Sequence, residues 1–160
     1  MSEAVIALGA NLGDREKNLG KALLALNKLE GTTIKKVSSI YETKPFGVLN
    51  KQDDYLNCCV LIETSLEASF LMGACLGIES ALGRERSYKN APRIIDIDLL
   101  LYEDLKLETK NLILPHPRIK ERGFVMVPMN DILDNKRFFD FDFSLAFEKI
   151  NFSELKKFKK

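Results

Sequence analysis

The sequence predicts an α+β fold with the element order β-α-β-β-α-β, the ferredoxin-like arrangement, extended by additional C-terminal strands and a helix. Three observations carry this expectation. Short runs of aliphatic and β-branched residues bounded by Gly or Pro read as strands. Two longer segments repeat apolar residues at helical spacing. The two kinds of segment follow one another in the split β-α-β order.

Residues 4–8 (Ala-Val-Ile-Ala-Leu) form the first strand, closed by Gly9. Asp14 is placed to cap the helix that follows, where Leu19, Ala22, Leu23 and Leu26 make one apolar stripe and Gly31 ends the element. Residues 34–43 are a strand, and Pro45 and Gly47 punctuate the loop after it. Residues 55–63 alternate: Tyr55, Asn57, Cys59 and Leu61 share one face, and Leu56, Cys58, Val60 and Ile62 the other. Residues 66–82 are the second helix, with Leu71, Cys75, Ile78 and Leu82 aligned and Gly83 closing it. A basic loop over 84–93 leads into 94–102, the most strand-like run. Beyond it, residues 139–143 read as an extra strand, 147–158 as a short helix, and 156–160 as a solvated basic tail.

Composition sets the limits on function. The chain has 160 residues, the size of one domain, taken as 1–160. Lys and Arg number 24 against 23 Asp and Glu, which removes the electrostatic case for a general nucleic-acid binder. The longest uncharged stretch, 68–78, falls short of the ~20 residues a membrane span needs. No secretion signal opens the chain, so neither nucleic acid nor membrane is an expected partner. Cys58, Cys59 and Cys75 lack zinc-ligand spacing and sit among apolar neighbours, as buried free thiols of a cytoplasmic protein would.

Asp96-Ile97-Asp98 is the sharpest chemical feature. On a strand both carboxylates project from one face, with Ile95, Ile97, Leu99 and Leu101 facing the core behind them. Two adjacent like charges are costly to desolvate, and Mg²⁺ with a phosphate ligand resolves that cost. Arg84, Arg86, Lys89 and Arg93 lie immediately upstream, the cations that phosphoryl transfer requires. Asp140-Phe141-Asp142 has the same spacing without a basic neighbourhood, so it reads as surface acids. His116, the only histidine, lies between two prolines and beside Arg118, Lys120 and Arg122, within reach of a phosphate. The Gly9–Asp14 turn lacks the Gly-Lys-Ser/Thr of a phosphate loop and serves as a tight strand-to-helix turn. Taken alone, these residues leave a pyrophosphokinase and a nucleotidyltransferase both open. An RNA-binding module is less well served, because the central strands carry Asp and Asn where stacking aromatics would be needed.

The motifs also occur in a telling order. Ala7–Asp14, Tyr41–Gly47 and Asp54–Asn57 are followed by Ile78–Arg84, Pro92-Arg93-Ile94-Ile95-Asp96-Ile97-Asp98, Leu114-Pro115-His116-Pro117-Arg118 and Glu121–Val125. Over residues 4–134 this set closely resembles the 6-hydroxymethyl-7,8-dihydropterin pyrophosphokinases of folate biosynthesis. A monomer is the expected state of the chain, and the resemblance implies transfer of pyrophosphate from ATP to the hydroxymethyl group of the dihydropterin, with release of AMP. It implies two Mg²⁺ ions on Asp96 and Asp98, and pterin contacts from Thr43, Pro45, Phe46, Tyr55, Asn57, Asp96 and Phe124. It places Glu79, Arg84, Arg86, Arg93, His116 and Arg122 on the ATP side, with Arg84, Arg93, Asp96 and Asp98 as the catalytic set. Lys44, Asn90-Ala91 and Ile94 depart from the usual family residues.

Overall fold

Alternation in the sequence becomes two separate cores on either side of one sheet. The computed structural model describes residues 1–44, 52–83 and 92–158. In chain order the first elements are β1 (Ser2–Ala10), α1 (Arg15–Lys28), β2 (Thr32–Val37), β3 (Tyr41–Thr43), β4 (Tyr55–Thr64), α2 (Ala68–Ala81) and β5 (Asp96–Tyr102). Then come β6 (Leu107–Glu108), β7 (Ile113–Leu114), α3 (Gly123–Ile132), β8 (Arg137–Phe138), β9 (Phe141–Asp142), α4 (Ser144–Glu148) and β10 (Leu155–Lys157). The main sheet runs β10-β3-β4-β1-β5, with β2 also paired to β4, and its pairings are antiparallel. This is the expected α+β arrangement.

The even residues of β4 (Leu56, Cys58, Val60 and Ile62) join Ile6, Leu8, Leu71, Cys75, Ile95, Ile97 and Leu99 in the core beneath α1 and α2. Cys59 and Leu61 face the opposite side, where Val125, Met126 and Met129 of α3 cover them. Asp14 caps α1 by accepting from the Lys17 N–H at 3.2 Å. Leu19, Ala22 and Leu26 are buried as the stripe requires, and Leu23 packs at the edge of the same core.

Several expectations need correcting. Helix α1 ends at Lys28 with Leu29 as its C-cap; Gly31 instead makes the turn into β2, with φ +70° and its would-be side chain on Ser65. The predicted strand 34–43 is two strands, because the chain breaks between Val37 and Tyr41 and the Ser38 hydroxyl accepts from the Cys59 N–H at 2.8 Å. Leu101 lies in the α3-side core and not beside Leu99. A β-bulge causes this: Ile6 pairs with Leu99 and Val5 with Leu101, so Leu100 is an extra residue that flips the alternation.

After β5 the corrections are larger. Residues 137–142 form the β8–β9 hairpin, not one strand, and Asp142 accepts from Arg137 and from the Ser144 N–H, a structural role. No helix spans 147–158: α4 stops at Glu148, and the basic tail supplies β10, which pairs with β3. Helix α3, over an apolar stretch interrupted by Pro128, has no counterpart in the sequence-based element order. Asp131 of α3 ties it to the sheet by accepting from the Tyr41 hydroxyl at 2.8 Å and the Ser39 N–H at 3.2 Å. Burial, then this carboxylate, pushes the Tyr41 phenol up to about 12.

All three cysteines are buried and free. Burial pushes the thiols of Cys58 and Cys75 up to about 12 and that of Cys59 well above its ordinary range. The native protein at pH 8 therefore reacts with an aromatic disulfide reagent at least roughly a hundredfold more slowly than the guanidinium-unfolded chain, which exposes all three thiols. Rapid modification of any thiol in the native state would contradict this packing.

Candidate active site

Pairing register brings the candidate residues of three strands into one row. Asn57 of β4 pairs with Gly9 of β1, and Gly9 pairs with Asp96 of β5. Paired residues share a face, so Asn57 and Asp96 flank a position without a side chain, two strands or roughly 9.5 Å apart. A Cβ on Gly9 would stand 3.2 Å from Asn57 Oδ1 and 3.5 Å from Tyr55 Cδ1. Asn57 and Tyr55 thus lean across β1 because Gly9 leaves them room. The Asn57 amide donates to Thr43 Oγ1 at 3.0 Å, and Thr43 pairs with Tyr55. Arg15 buttresses this end, donating to Glu42 and to the Asp54 carbonyl, both at 2.8 Å.

Two register positions further, Asp98 pairs with Ala7 and projects to the same face as Asp96. The two carboxylates open onto a cavity of about 210 Å³ at the β5 edge of the sheet, which Glu79, Arg93, His116 and Arg122 also line. Its apolar wall is Met72, Leu76 and Ile97. The chemistry of this cavity is three acids, two guanidiniums and one imidazole, with an apolar side. Asp96 and Asp98 are hard oxygen donors of the number Mg²⁺ takes from protein when phosphate supplies the rest, so the residues fit that ion.

Each lining group is held by a specific contact. Arg93 donates to Asp96 Oδ2 at 3.1 Å; such a half-exposed pair adds ~0–1 kcal/mol and serves mainly to orient. The backbone of Arg93 is fixed by Asn11, a fully buried residue. Asn11 Oδ1 accepts from the Arg93 N–H at 2.8 Å, and the Asn11 N–H donates to the Arg93 carbonyl at 3.0 Å. The Asn11 amide donates to Gln52 at 2.8 Å and the Asp53 carbonyl at 3.3 Å, so one side chain holds both the β4 and β5 approaches. Glu79, 3% exposed, accepts from the Ile97 N–H at 2.7 Å, a donor on the edge strand.

His116 depends on the bulge in β5. Its N–H donates to the carbonyl of Leu100, the bulged residue, at 2.8 Å. Nδ1 accepts from the Arg118 N–H at 3.2 Å, which leaves the proton of a neutral ring on Nε2. Burial, then Arg122 and Arg118, pushes the ring below its ordinary pKa against a smaller opposing pull from Asp96. Phe124 stands beside the site in the first turn of α3, with the Arg122 guanidinium 5.5 Å from its ring centre.

Of the residues singled out from sequence, Glu79, Arg93, Asp96, Asp98, His116 and Arg122 therefore surround one cavity. Thr43, Tyr55 and Asn57 form the adjoining end of the sheet, and Phe124 joins through Arg122. Pro45, Phe46, Arg84 and Arg86, together with Lys89, Asn90 and Ala91, lie outside the described residues. Sequence reading passed over Asn11, Met72 and Leu76. Met72 and Leu76 stand seven and three residues before Glu79, on one helical face, and that spacing was the available signal. Asn11 gave none, because its contacts lie 41 and 82 residues away.

A family model described as 7,8-dihydro-6-hydroxymethylpterin-pyrophosphokinase (HPPK) matches residues 5–134. The 2-amino-4-hydroxy-6-hydroxymethyldihydropteridine pyrophosphokinase of Bacillus subtilis is 46% identical over 129 residues, covering 81% of this chain and 77% of that protein. The Methylorubrum extorquens protein of the same name is 41% identical over 132 residues, covering 82% and 83%. Among solved structures, Plasmodium falciparum HPPK-DHPS superimposes with a TM-score of 0.71 over 98% of this chain. The identity there is 16%, a likeness of fold, and this chain spans 47% of that longer one.

The His116 environment makes a prediction about pH. Its folded pKa is depressed, so its contribution to stability is present above the ordinary value of 6.5 and is lost as pH falls through that value toward the folded pKa. Proton NMR of the ligand-free protein is expected to show the ring titrating below 6.5, and His116→Asn to reduce the stability lost between pH 7 and pH 5. A ring titrating at or above its ordinary value would contradict the assignment.

Proposed function

This chain belongs to the 7,8-dihydro-6-hydroxymethylpterin-pyrophosphokinase family, and we propose that its site performs the reaction as follows. Pyrophosphate passes from ATP to the hydroxymethyl group of 6-hydroxymethyl-7,8-dihydropterin in a step of tetrahydrofolate synthesis, and AMP leaves. The observation that carries this reading is the row Asn57–Gly9–Asp96. It joins an amide-lined sheet end to a cavity of acids and cations at a single carboxylate.

In this reading Asn57, Thr43, Tyr55 and Phe124, with Asp96 and with Pro45 and Phe46 by resemblance, hold the pterin. An Asn amide offers both a donor and an acceptor to the edge of a heteroaromatic ring. Glu79, Arg93, His116 and Arg122, with Arg84 and Arg86 by resemblance, receive the nucleotide, and His116 Nε2 donates to a phosphate oxygen. Asp96 and Asp98 would hold Mg²⁺, two ions by resemblance, which neutralises phosphate oxygens and lowers the acidity barrier of the hydroxyl when bound.

The hydroxymethyl oxygen attacks the β-phosphorus, its proton goes to Asp96, and the bond to the α-phosphate oxygen breaks to release AMP. Negative charge grows on that bridging oxygen and on the β-phosphoryl oxygens. Arg93, oriented by Asn11 and Asp96, stabilises it with charge-assisted hydrogen bonds that need no reorganisation, and by resemblance Arg84 adds a second guanidinium. Residues 1–160 act as one domain and as a cytoplasmic monomer. The buried free cysteines support a reducing compartment.

The test is a product assay with ATP, Mg²⁺ and 6-hydroxymethyl-7,8-dihydropterin that resolves AMP from ADP. One AMP is expected per pyrophosphorylated pterin, and Asp98→Ala should lower turnover by at least roughly a hundredfold while the fold survives. ADP as the product would mean a different phosphoryl transfer. Normal turnover of Asp98→Ala would remove Asp98 from the metal site.

A further inference from the structure

The stretch matched by the family model ends at residue 134, yet the sheet does not. β3, the strand that carries Thr43, has only three residues and pairs with β4 on one side. Without a second neighbour it would be a short edge strand, the kind of element that opens locally most readily. β10 supplies that neighbour, with Leu155 paired to Thr43, Lys156 to Glu42 and Lys157 to Tyr41. The next residue continues the clamp: the Phe158 N–H donates to the Ile40 carbonyl at 2.8 Å, and its ring packs against the main core.

The same segment also touches α3. A Cβ on Gly123, the residue before Phe124, would stand 3.1 Å from Leu155 Cδ1 and 3.3 Å from Ile150 Cγ2. Leu155 therefore bridges two places that the sequence leaves 80 residues apart: its backbone pairs with Thr43, and its side chain seats the first turn of α3.

We infer that Leu155, with Ile150 and β10, is a positioning element for the pterin side of the site. It sets the distance between Thr43, which holds Asn57, and Phe124. The inference rests on the pterin contacts assigned above. A side chain that acts through Thr43 and Phe124 changes chiefly how the acceptor is held: of the nucleotide cavity's lining only Arg122 adjoins the first turn of α3, and Glu79, Arg93, Asp96, Asp98 and His116 stand on other segments.

The test uses the full chain. Leu155→Ala is expected to raise KM for the dihydropterin roughly tenfold, with KM for ATP within about twofold of the unsubstituted enzyme. Leu155→Met should restore the pterin KM, and Glu148→Ala, at an exposed position outside β10, should leave both constants alone. Fluorescence titration of the pterin reads the same effect without turnover. A Leu155→Ala protein with a lower Tm but an unchanged pterin KM would show that the strand only packs, and would overturn the inference. An equal rise in both KM values would overturn it too. Failure of the unsubstituted enzyme to form pterin-dependent AMP would instead remove the functional reading on which the inference stands.

Discussion

The site depends on a close approach over one residue of the central strand. Gly9 lies between Asn57 and Asp96 in the sheet, and the space a Cβ would fill there is bounded by Asn57 and Tyr55. A Cβ at this position would come within 3.2 Å of Asn57 Oδ1, tight enough that the amide bonded to Thr43 must give by a few tenths of an ångström. Both halves of the proposed active site refer to this point. On one side lies an uncharged face suited to a heteroaromatic ring, and on the other the two carboxylates begin. The reacting groups would meet where the backbone itself forms the floor.

Around that point the fold supplies rigidity from buried polar contacts more than from ion pairs. Asn11 makes side-chain and backbone bonds to Arg93 and reaches Gln52 and Asp53, all from a buried position where unmade bonds are expensive. Glu79 satisfies the outer edge of β5, and the Leu100 bulge turns a carbonyl toward His116. These contacts fix the backbone at the exit of one approach and the entry of the next. The exposed pair Lys35–Glu63, by contrast, adds little.

Much of this was legible in the residues, for reasons that differ by element. Residues 55–64 are buried on both faces, and strict alternation sorted them correctly between two cores. Asp96 and Asp98 stood out because charges on an apolar strand need a physical reason. Leu101 was misplaced because a bulge leaves no trace in periodicity. Helix α3 does carry a stripe, with Val125, Pro128, Met129 and Ile132 at i, i+3, i+4 and i+7, but it is only ten residues long and the proline inside it reads as a helix breaker. β10 was hidden by its lysines, which suggested a solvated tail; on a sheet edge, lysine is a usual residue and the backbone does the pairing. Asn11 was invisible for a different reason: its role exists only through partners brought together by the fold.

In the proposed reaction the open position at Gly9 is what allows Asn57 and Asp96 to serve one acceptor. The most direct measurement is the affinity of Gly9→Ala for 6-hydroxymethyl-7,8-dihydropterin, read by pterin fluorescence beside its affinity for a non-hydrolysable ATP analogue. A folded protein is expected whose pterin affinity falls roughly tenfold while nucleotide affinity holds. A folded Gly9→Ala protein that binds the pterin as tightly as the unsubstituted chain would contradict it.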